Sequence, residues 1–308
     1  MIPDQQSLSP ALTRKMREGS SASTTRLIAS GLGWRVLDIA CTRGPGDRPF
    51  EEHFDATSIS LVVAGSFGYR GEHGSSLLSS GAFLLGNAGR PFECSHEHGN
   101  GDRCLSFQFD QELFERIAQE VGAGSFLNTA RLPPLRDLAA LSARAQMEAS
   151  AAHGGRALAC RVDSMEEIVL ELAATVIRLA NRAPQKELSL ARHASRIANV
   201  LRYLESASAK PLLLTDLAEA AGLSRYHFLR TFKRVTGVTP HQWLLRRRLR
   251  NAAERLGSSR EPITEIALDV GFDDLSNFIR SFRAEFGVSP RGYRTTPGKA
   301  PPLRLEQS

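Results

Sequence analysis

The sequence is poor in cysteine and has no long apolar run. Four cysteines in 308 residues are too few for a fold held together by disulfides. The longest apolar segments, such as Ser60–Ala64 and Ala82–Leu85, are far shorter than the roughly 20 residues that span a bilayer. The first residues, MIPDQQSLSP, lack the basic region and the apolar stretch of a secretory signal. These absences favour a cytoplasmic protein with reduced thiols and no membrane partner.

Sequence motifs of common catalytic sites are absent as well. The chain contains no GxSxG, phosphate-binding loop, HExxH or CxxC motif. We therefore predict no catalytic residue and no cofactor. Apolar residues make up 42% of the chain and charged residues 23%, which is the balance of a protein with ordinary packed cores. At about 100–200 residues per domain, the length favours two domains.

The positive charge is concentrated in the last third of the chain. The whole chain has a formal net charge of +6, whereas residues 192–294 alone carry +8 and residues 1–191 carry −3. Such an asymmetry is typical of a protein that binds a polyanion. A basic helix surface that faces only solvent would give the same count, so the charge alone does not decide.

A repeated unit occupies this basic region. Residues 215–243 and 264–293 match each other with an offset of 49 positions in their first part and 50 in their second. The matched pairs are identical or similar in side-chain type, and they are Leu217 with Ile266, Ala218 with Ala267, Gly222 with Gly271, Leu223 with Phe272, Phe228 with Phe278, Arg230 with Arg280, Phe232 with Phe282, Gly237 with Gly287 and Pro240 with Pro290. Two copies are too few for a solenoid, so a duplicated small unit is the better interpretation.

Each copy has the parts of a helix-turn-helix. A short first helix ends at a glycine, Gly222 or Gly271, where a left-handed backbone costs least. Ser224 in the first copy, and Asp273 or Asp274 in the second, is expected to cap the next helix. Phenylalanines four residues apart then form the buried face of that helix. A longer helix that starts at Pro240 is predicted to join the two units.

On these residues, positions 197–294 resemble the DNA-binding module of the AraC/XylS family of transcriptional regulators. The most characteristic stretch lies in the second unit, in Ile266-Ala267, Gly271-Phe272, Phe278, Phe282, Gly287-Val288-Ser289-Pro290 and Tyr293-Arg294. The resemblance implies that the second helix of each unit enters a major groove of double-stranded DNA. It also implies that the protein binds RNA polymerase. A homodimer is a further expectation.

The position of each residue on these helices assigns two sets of DNA contacts. The residues expected to read base edges are Tyr226, Leu229 and Arg230 in the first unit and Ser276, Asn277 and Arg280 in the second. The residues expected to contact phosphate are Ser224, Arg225, Lys233, Arg234 and Arg283. Any single one of them could instead be an ordinary solvated helix residue.

The N-terminal part predicts a sheet followed by helices. Short apolar runs separated by turn residues between Trp34 and Phe109 indicate an antiparallel sandwich or barrel. Gly81–Leu85 and the turn to Pro91 resemble, more weakly, the cupin-like sensor domain common in the family. A small barrel can enclose a small-molecule effector, and the expected lining residues are His53, Phe54, Phe67, Tyr69 and Phe92. The helices predicted at Leu135–Ala149 and Arg161–Asn181 would provide dimer contacts.

A short Cys/His segment supports an alternative function. On an extended strand, Cys94, His96 and His98 lie on one face, where they could bind Zn²⁺ or another soft metal. His53 or Cys104 could complete such a site, and the chain would then be a metal- or thiol-responsive regulator. A polar loop without a metal is the simpler interpretation. A cupin-type enzyme fused to a helical domain is less favoured, because the usual cupin metal spacing is not reproduced.

The predicted fold class is therefore multidomain α and β. It comprises an N-terminal cupin-like β-barrel with helices and a C-terminal all-α domain of two helix-turn-helix units joined by a long helix. The expected divisions are a flexible arm at 1–30, a sensor and dimerisation domain at 31–182, a linker at 183–192, the DNA-binding domain at 193–296 and a flexible tail at 297–308.

Overall fold

The computed structural model describes residues 23–44, 47, 49–96, 101–151, 159–182, 191–206, 209 and 213–295. Side chains are described at these positions except at residues 50, 159–164 and 191–193. Within these ranges, no helix is both long enough and apolar enough to cross a membrane.

The N-terminal half is an antiparallel sheet domain, as the sequence predicts. Its strands in the described part of the chain are β1 (Ser23–Gly31), β2 (Trp34–Cys41), β3 (Phe50–His53), β4 (Thr57–Gly71), β5 (Gly74–Ser79), β6 (Phe83–Gly86), β7 (Pro91–Ser95), β8 (Asp102–Phe109) and β9 (Arg131–Leu132). One path runs β1-β2-β8-β4-β6-β9, and β3 pairs with β7. The first half of β4 pairs with β6 and β8, and its second half pairs with β5 and β7. The long β4 is therefore shared by two sheets.

Alternate residues of the central strands face two different cores. On β4, Leu61 and Val63 pack into the larger core with the helices, whereas Val62 packs into a smaller cluster on the opposite side. On β8, Leu105 belongs to the larger core and Cys104 to the smaller cluster. This alternation follows from the two-residue period of a strand. It explains why both faces of these strands carry apolar side chains.

The prediction of a flexible arm at residues 1–30 is wrong for the last part of that range. Ser23–Gly31 forms β1, which pairs with β2 along its whole length and brings Ile28 into the larger core. Its small and hydroxyl-bearing residues suggested disorder, but the pairing with β2 satisfies its backbone groups. Residues 1–22 lie outside the described part of the chain.

Among the residues that the structure describes, three helices complete this domain. They are α1 (Gln111–Glu120), α2 (Ala139–Ala151) and α3 (Ala159–Arg182), and a 3-10 turn at Arg136–Leu138 precedes α2. Asp110 caps α1 by accepting a 2.8 Å hydrogen bond from the backbone of Leu113. Helix α3 buries Val169 and Val176 among others against the larger core, at the spacing that the sequence predicts.

The described residues of the C-terminal half form helices joined by short turns. Its helices are α4 (Ala191–Ser206), α5 (Leu214–Ala220), α6 (Arg225–Thr236), α7 (Pro240–Ser258), α8 (Ile263–Asp269), α9 (Leu275–Phe286) and α10 (Pro290–Thr295). Thr239 and Gln242 form a reciprocal capping box at the start of α7, with proline in the first turn. The sequence predicts a linker at 183–192. Residues 183–190 lie outside the described part of the chain, and the last two residues of the predicted linker belong to α4, which begins at Ala191.

The two halves pack directly against each other. Ala139 and Ala143 of α2 belong to the same apolar core as Phe282 of α9. Leu77 of β5 belongs to the core of the first helical unit. The indole nitrogen of Trp243 donates a 3.4 Å hydrogen bond to the hydroxyl of Ser79. Each helical unit therefore has its own contact with the sheet domain.

Candidate nucleic-acid interface

The first helix-turn-helix consists of α5 and α6. Its corner is Gly222, which has a φ of +62°, and Leu223 donates a 3.0 Å backbone hydrogen bond to Ala218. Ser224 caps α6, because its hydroxyl accepts a hydrogen bond from the backbone of His227. Phe228 and Phe232 are fully buried, so the face of α6 that carries them points into the core. The sequence predicts this corner and this cap.

The second helix-turn-helix consists of α8 and α9 and repeats this geometry. Gly271 has a φ of +99°, and Phe272 donates a 2.9 Å backbone hydrogen bond to Ala267. The structure selects Asp274 over Asp273 as the cap, since the Asp274 carboxylate accepts hydrogen bonds from the backbones of the second and third residues of α9. The sequence predicts two candidates here because the second unit has one additional residue at this turn.

The base-reading residues predicted on α6 lie on its exposed face. Tyr226 is 70% exposed, and Leu229 and Arg230 are also exposed. The guanidinium of Arg230 lies 5.7 Å from the centre of the Tyr226 ring, within the range of a cation–π contact. This contact holds the arginine close to the helix while its hydrogen-bond donors remain available.

The corresponding residues of α9 are likewise exposed. Ser276, Asn277 and Arg280 share the face opposite the buried phenylalanines. The guanidinium of Arg280 donates a 3.3 Å hydrogen bond to the Asn277 side chain, so two of the predicted reading residues support each other. Asn and Arg are the residue types that bind adenine and guanine edges through paired hydrogen bonds.

Two exposed residues on these helices were missed by the sequence analysis. Ile279 is 40% exposed and occupies the position in α9 that Leu229 occupies in α6. His227 is exposed and occupies the position in α6 that Asn277 occupies in α9. The offset of 50 between the two units could have identified both, because it carries each assigned position from one helix to the other.

The residues predicted to contact phosphate fall into two groups. Arg225, Lys233, Arg234 and Arg283 are exposed along α6 and α9, where they could approach a polyanion from the side. Ser224 is also exposed, but its hydroxyl already caps α6 at 3.4 Å. A phosphate at Ser224 would therefore share a hydroxyl that stabilises the start of the helix.

The basic run on α7 is largely internal. Arg248 donates a 2.7 Å hydrogen bond to the carbonyl of Gly271, and Arg246 pairs with Glu285 at 3.4 Å. Arg247 is buried, and burial lowers its pKa to about 9. Burial likewise lowers the pKa of Arg250 to about 10, and its side chain donates to the carbonyl of Ser80. Arg246, Arg248 and Arg250 therefore help to hold the helical units and the sheet domain together.

The residues predicted to line an effector pocket pack against one another. Phe54, Phe67, Tyr69 and Phe92 belong to the smaller cluster of the sheet domain. The rings of Phe54 and Phe92 are stacked with their centres 4.2 Å apart. His53 is exposed on β3 and does not share this interior.

A cavity of about 310 Å³ lies elsewhere, between the two halves of the chain. Its apolar wall includes Val63 and Leu105 of the sheet and Met147 of α2. Arg250 and Glu254 of α7 line the other side. A ligand in this cavity would touch the sheet domain and the helix that joins the two helix-turn-helix units.

The predicted Cys94, His96 and His98 do not form one group among the described residues. His98 lies outside the described part of the chain. Cys94 and His96 are both buried, but His96 forms a 2.6 Å contact with Asp102. The group that could hold a metal ion is Cys41, His96 and Asp102. The pairing of β2 with β8 brings Cys41 to Asp102, which no local sequence pattern indicates.

The protonation of these side chains follows from their burial and contacts. Burial raises the pKa of the Cys94 and Cys104 thiols, so both remain protonated at neutral pH. Burial lowers the pKa of His96, but hydrogen bonds to Asp102 and to Cys41 outweigh this effect and raise it to about 9. The raised pKa favours the charged form of His96 beside the Asp102 carboxyl group.

Two helix-turn-helix units held on one helix, each with an exposed second helix, define a DNA-binding protein. The helix-turn-helix domain family matches residues 217–296. The Tn10 TetD protein of Escherichia coli is 41% identical over 102 residues, which cover 33% of this chain and 74% of that protein. The right origin-binding protein of Escherichia coli K12 is 39% identical over 114 residues, but the match spans only 39% of its length. The chain belongs to the AraC family of transcriptional regulators.

Two solved structures are similar to parts of this chain. The DNA-binding domain of AdpA in complex with a target DNA is 31% identical and covers 32% of this chain and 90% of that chain, with a TM-score of 0.32. The match to ToxT from Vibrio cholerae O395 covers 86% of this chain and 98% of the ToxT chain, at 13% identity and a TM-score of 0.34. These similarities are low, and the fold described above rests on the strands and helices of the chain itself.

Proposed function

We propose that the chain reads DNA sequence with both α6 and α9, which enter successive major grooves on one face of the duplex. The observation that carries this proposal is the equivalence of the two helices. Arg230 and Arg280 occupy matched positions, and both lie on the exposed face opposite buried phenylalanines. Helices that meet adjacent major grooves on one face lie about 34 Å, or one helical turn, apart.

A footprint on selected DNA tests this geometry. Binding sites are selected from random duplexes with the full chain and are then probed by methylation interference at guanine N7, which lies in the major groove. The proposal predicts two short groups of guanines whose methylation blocks binding, about 10 base pairs apart on one face of the duplex. A single box, or two boxes on opposite faces, would contradict it.

We propose that the cavity between the two halves is the effector site. Its apolar wall with a few polar groups suits a small molecule with an apolar body and one or two polar substituents. Because Met147 and Arg250 line opposite sides, such a ligand would favour one placement of α7 against the sheet. The aromatic cluster of Phe54 and Phe92 is the alternative site, but its members already fill the space between them.

The remaining parts of the proposal follow from the assigned family. A linker at 183–192 would separate a sensor and dimerisation domain from the DNA-binding domain, and α2 and α3 would contribute to a homodimer. RNA polymerase would be the partner at a promoter. Because that partner acts in the cytoplasm, the protein would be cytoplasmic. Titration of the full chain by analytical ultracentrifugation, with and without operator DNA, tests the dimer.

A further inference from the structure

Three side chains of different chemistry converge at one end of the sheet. Cys41 is the last residue of β2, His96 follows β7 and Asp102 is the first residue of β8. One donor atom from each lies within 4.8 Å of the others. All three side chains are buried, with residue exposures of 6%, 4% and 6%. The sheet domain thus places a thiol, an imidazole and a carboxylate together away from water.

The backbone around this group is built for close approach. Cys41 and Asp102 are register partners in the pairing of β2 with β8. Gly101 has a φ of +94°, and a Cβ at that position would lie 2.3 Å from the carbonyl oxygen of Cys41. Gly65 has a φ of +77°, and its Cβ would lie 2.3 Å from the carbonyl oxygen of Gly101. Only glycine at both positions allows the three strands to meet here.

The donor set selects a class of metal ion. Thiolate and imidazole ligands favour Zn²⁺ and related transition metals over Mg²⁺ and Ca²⁺, which prefer oxygen alone. Zinc binds sulfur at about 2.3 Å and nitrogen or oxygen at about 2.0–2.2 Å, so tetrahedral donors lie roughly 3.3–3.8 Å apart. The separation between His96 Nε2 and Asp102 Oδ1 is 2.6 Å, so these donors need to open by about 1 Å.

A second thiol lies beside the same carboxylate, outside the group of three donors. The Cys104 sulfur lies 3.4 Å from Asp102 Oδ2 and is also buried. We propose that Cys41, His96 and Asp102 supply three ligands of a tetrahedral site for Zn²⁺ or a similar transition-metal ion, with the fourth position left for a water molecule. This set differs from Cys94, His96 and His98, because it joins residues from β2 and β8 that are distant in sequence from the short Cys/His segment.

The site would connect metal binding to the interface between the two halves. Arg103 lies between Asp102 and Cys104 on β8, pairs with Asp38 at 2.8 Å and lines the interdomain cavity. An ion held by Asp102 would fix this end of β8. Metal occupancy would therefore stabilise the sheet domain, and its effect on DNA binding rests on the proposed function.

Metal content of the full chain tests the site independently of DNA binding. The untagged protein is purified from zinc-supplemented cells, dialysed without chelator and analysed by inductively coupled plasma mass spectrometry. We expect near-stoichiometric zinc in the parent, at least a fivefold loss in Cys41→Ser and in His96→Ala, and no loss in the control His53→Ala, whose histidine is exposed. Parent-level zinc in both site variants would overturn the assignment, as would a folded parent without zinc.

Cobalt substitution keeps the proposal testable if a site variant fails to fold. Co²⁺ added to chelator-treated parent protein should give the intense visible bands of tetrahedral cobalt and a thiolate-to-cobalt charge-transfer band. The control Cys94→Ser should retain both, because Cys94 is buried nearby but is not in the proposed set. A parent spectrum typical of octahedral cobalt without a thiolate band would overturn the site.

Discussion

The guanidinium of Arg131 donates a 2.7 Å hydrogen bond to the backbone carbonyl of Val235, in the last turn of α6. A few residues later, Arg136 lies 3.8 Å from Glu285 of α9. The segment from β9 to the start of α2 therefore contacts both helices that we assign to base reading. The relative position of these helices depends on the sheet domain as well as on α7.

Removing the first of these contacts should loosen α6. Arg131→Ala is expected to reduce protection of the amides of Arg225–Thr236 in hydrogen–deuterium exchange, and to lower stability by about 1–2 kcal/mol. The control is Arg70→Ala, since the Arg70 side chain is 70% exposed. Equal protection in the parent and in Arg131→Ala would show that the hydrogen bond does not restrain the helix.

The two corner glycines should respond differently to the same substitution. Gly222 and Gly271 both have a positive φ, which costs an alanine about 1–2 kcal/mol. A Cβ at Gly222 meets nothing within 4 Å, whereas at Gly271 it would lie 2.8 Å from the carbonyl of Ala209 and 2.9 Å from Arg248.

Gly271→Ala should therefore lose about 1 kcal/mol more than Gly222→Ala in denaturant unfolding, and it should weaken operator binding more strongly. Gly271→Val should be more severe still. Equal losses at the two corners would mean that the contacts around Gly271 relax without cost.

Glu205 on α4 should make stability depend on pH. Burial raises its pKa to about 7, although the positive charge of Arg250 lowers it in part. Because the folded-state pKa lies above the unfolded value, the folded state binds the extra proton between these values. Stability is therefore highest at low pH in this window and falls as the pH rises from about 4.5 to 7.

Glu205→Gln removes this titration. We expect the variant to be more stable than the parent by about 1–3 kcal/mol at pH 8, with the difference shrinking toward pH 5. Thermal unfolding across this range measures it. A parent and a variant with parallel pH profiles would show that Glu205 is ionised in the folded chain at neutral pH.

The salt dependence of DNA binding should reflect only the exposed cations. Each phosphate that is neutralised contributes about 0.9 to the slope of log affinity against log salt. Lys233→Ala should reduce that slope by about one and weaken all sequences alike. An unchanged slope in this variant would remove Lys233 from the phosphate contacts.

The local parts of the DNA-binding units were predictable from sequence. The offset between the repeats identifies the corners at Gly222 and Gly271, and the buried Phe228 and Phe278 follow from helical spacing. Capping chemistry identifies Ser224 but leaves Asp273 and Asp274 equivalent, because both are acceptors one residue apart. The choice depends on the backbone of the turn.

Features that depend on long-range pairing were not predictable. Cys41 meets Asp102 only because β2 pairs with β8, and 61 positions separate the two in the sequence. The basic run on α7 counts toward the net charge, yet Arg247 is buried and Arg250 bonds to Ser80 of the sheet domain. Sequence composition records charge but not the direction in which a side chain points.

The most direct test of the central claim is site selection from random DNA with Arg230→Ala and Arg280→Ala. Each arginine should read its own box, so each substitution should cost about 1–3 kcal/mol and relax base preference at one box only. Lys233→Ala, which removes an exposed charge on the same helix as Arg230, should keep both boxes. If both arginine variants return the parent motif unchanged, neither residue reads sequence. If only one of them loses a box, a single helix reads the DNA and the account of two reading helices is wrong.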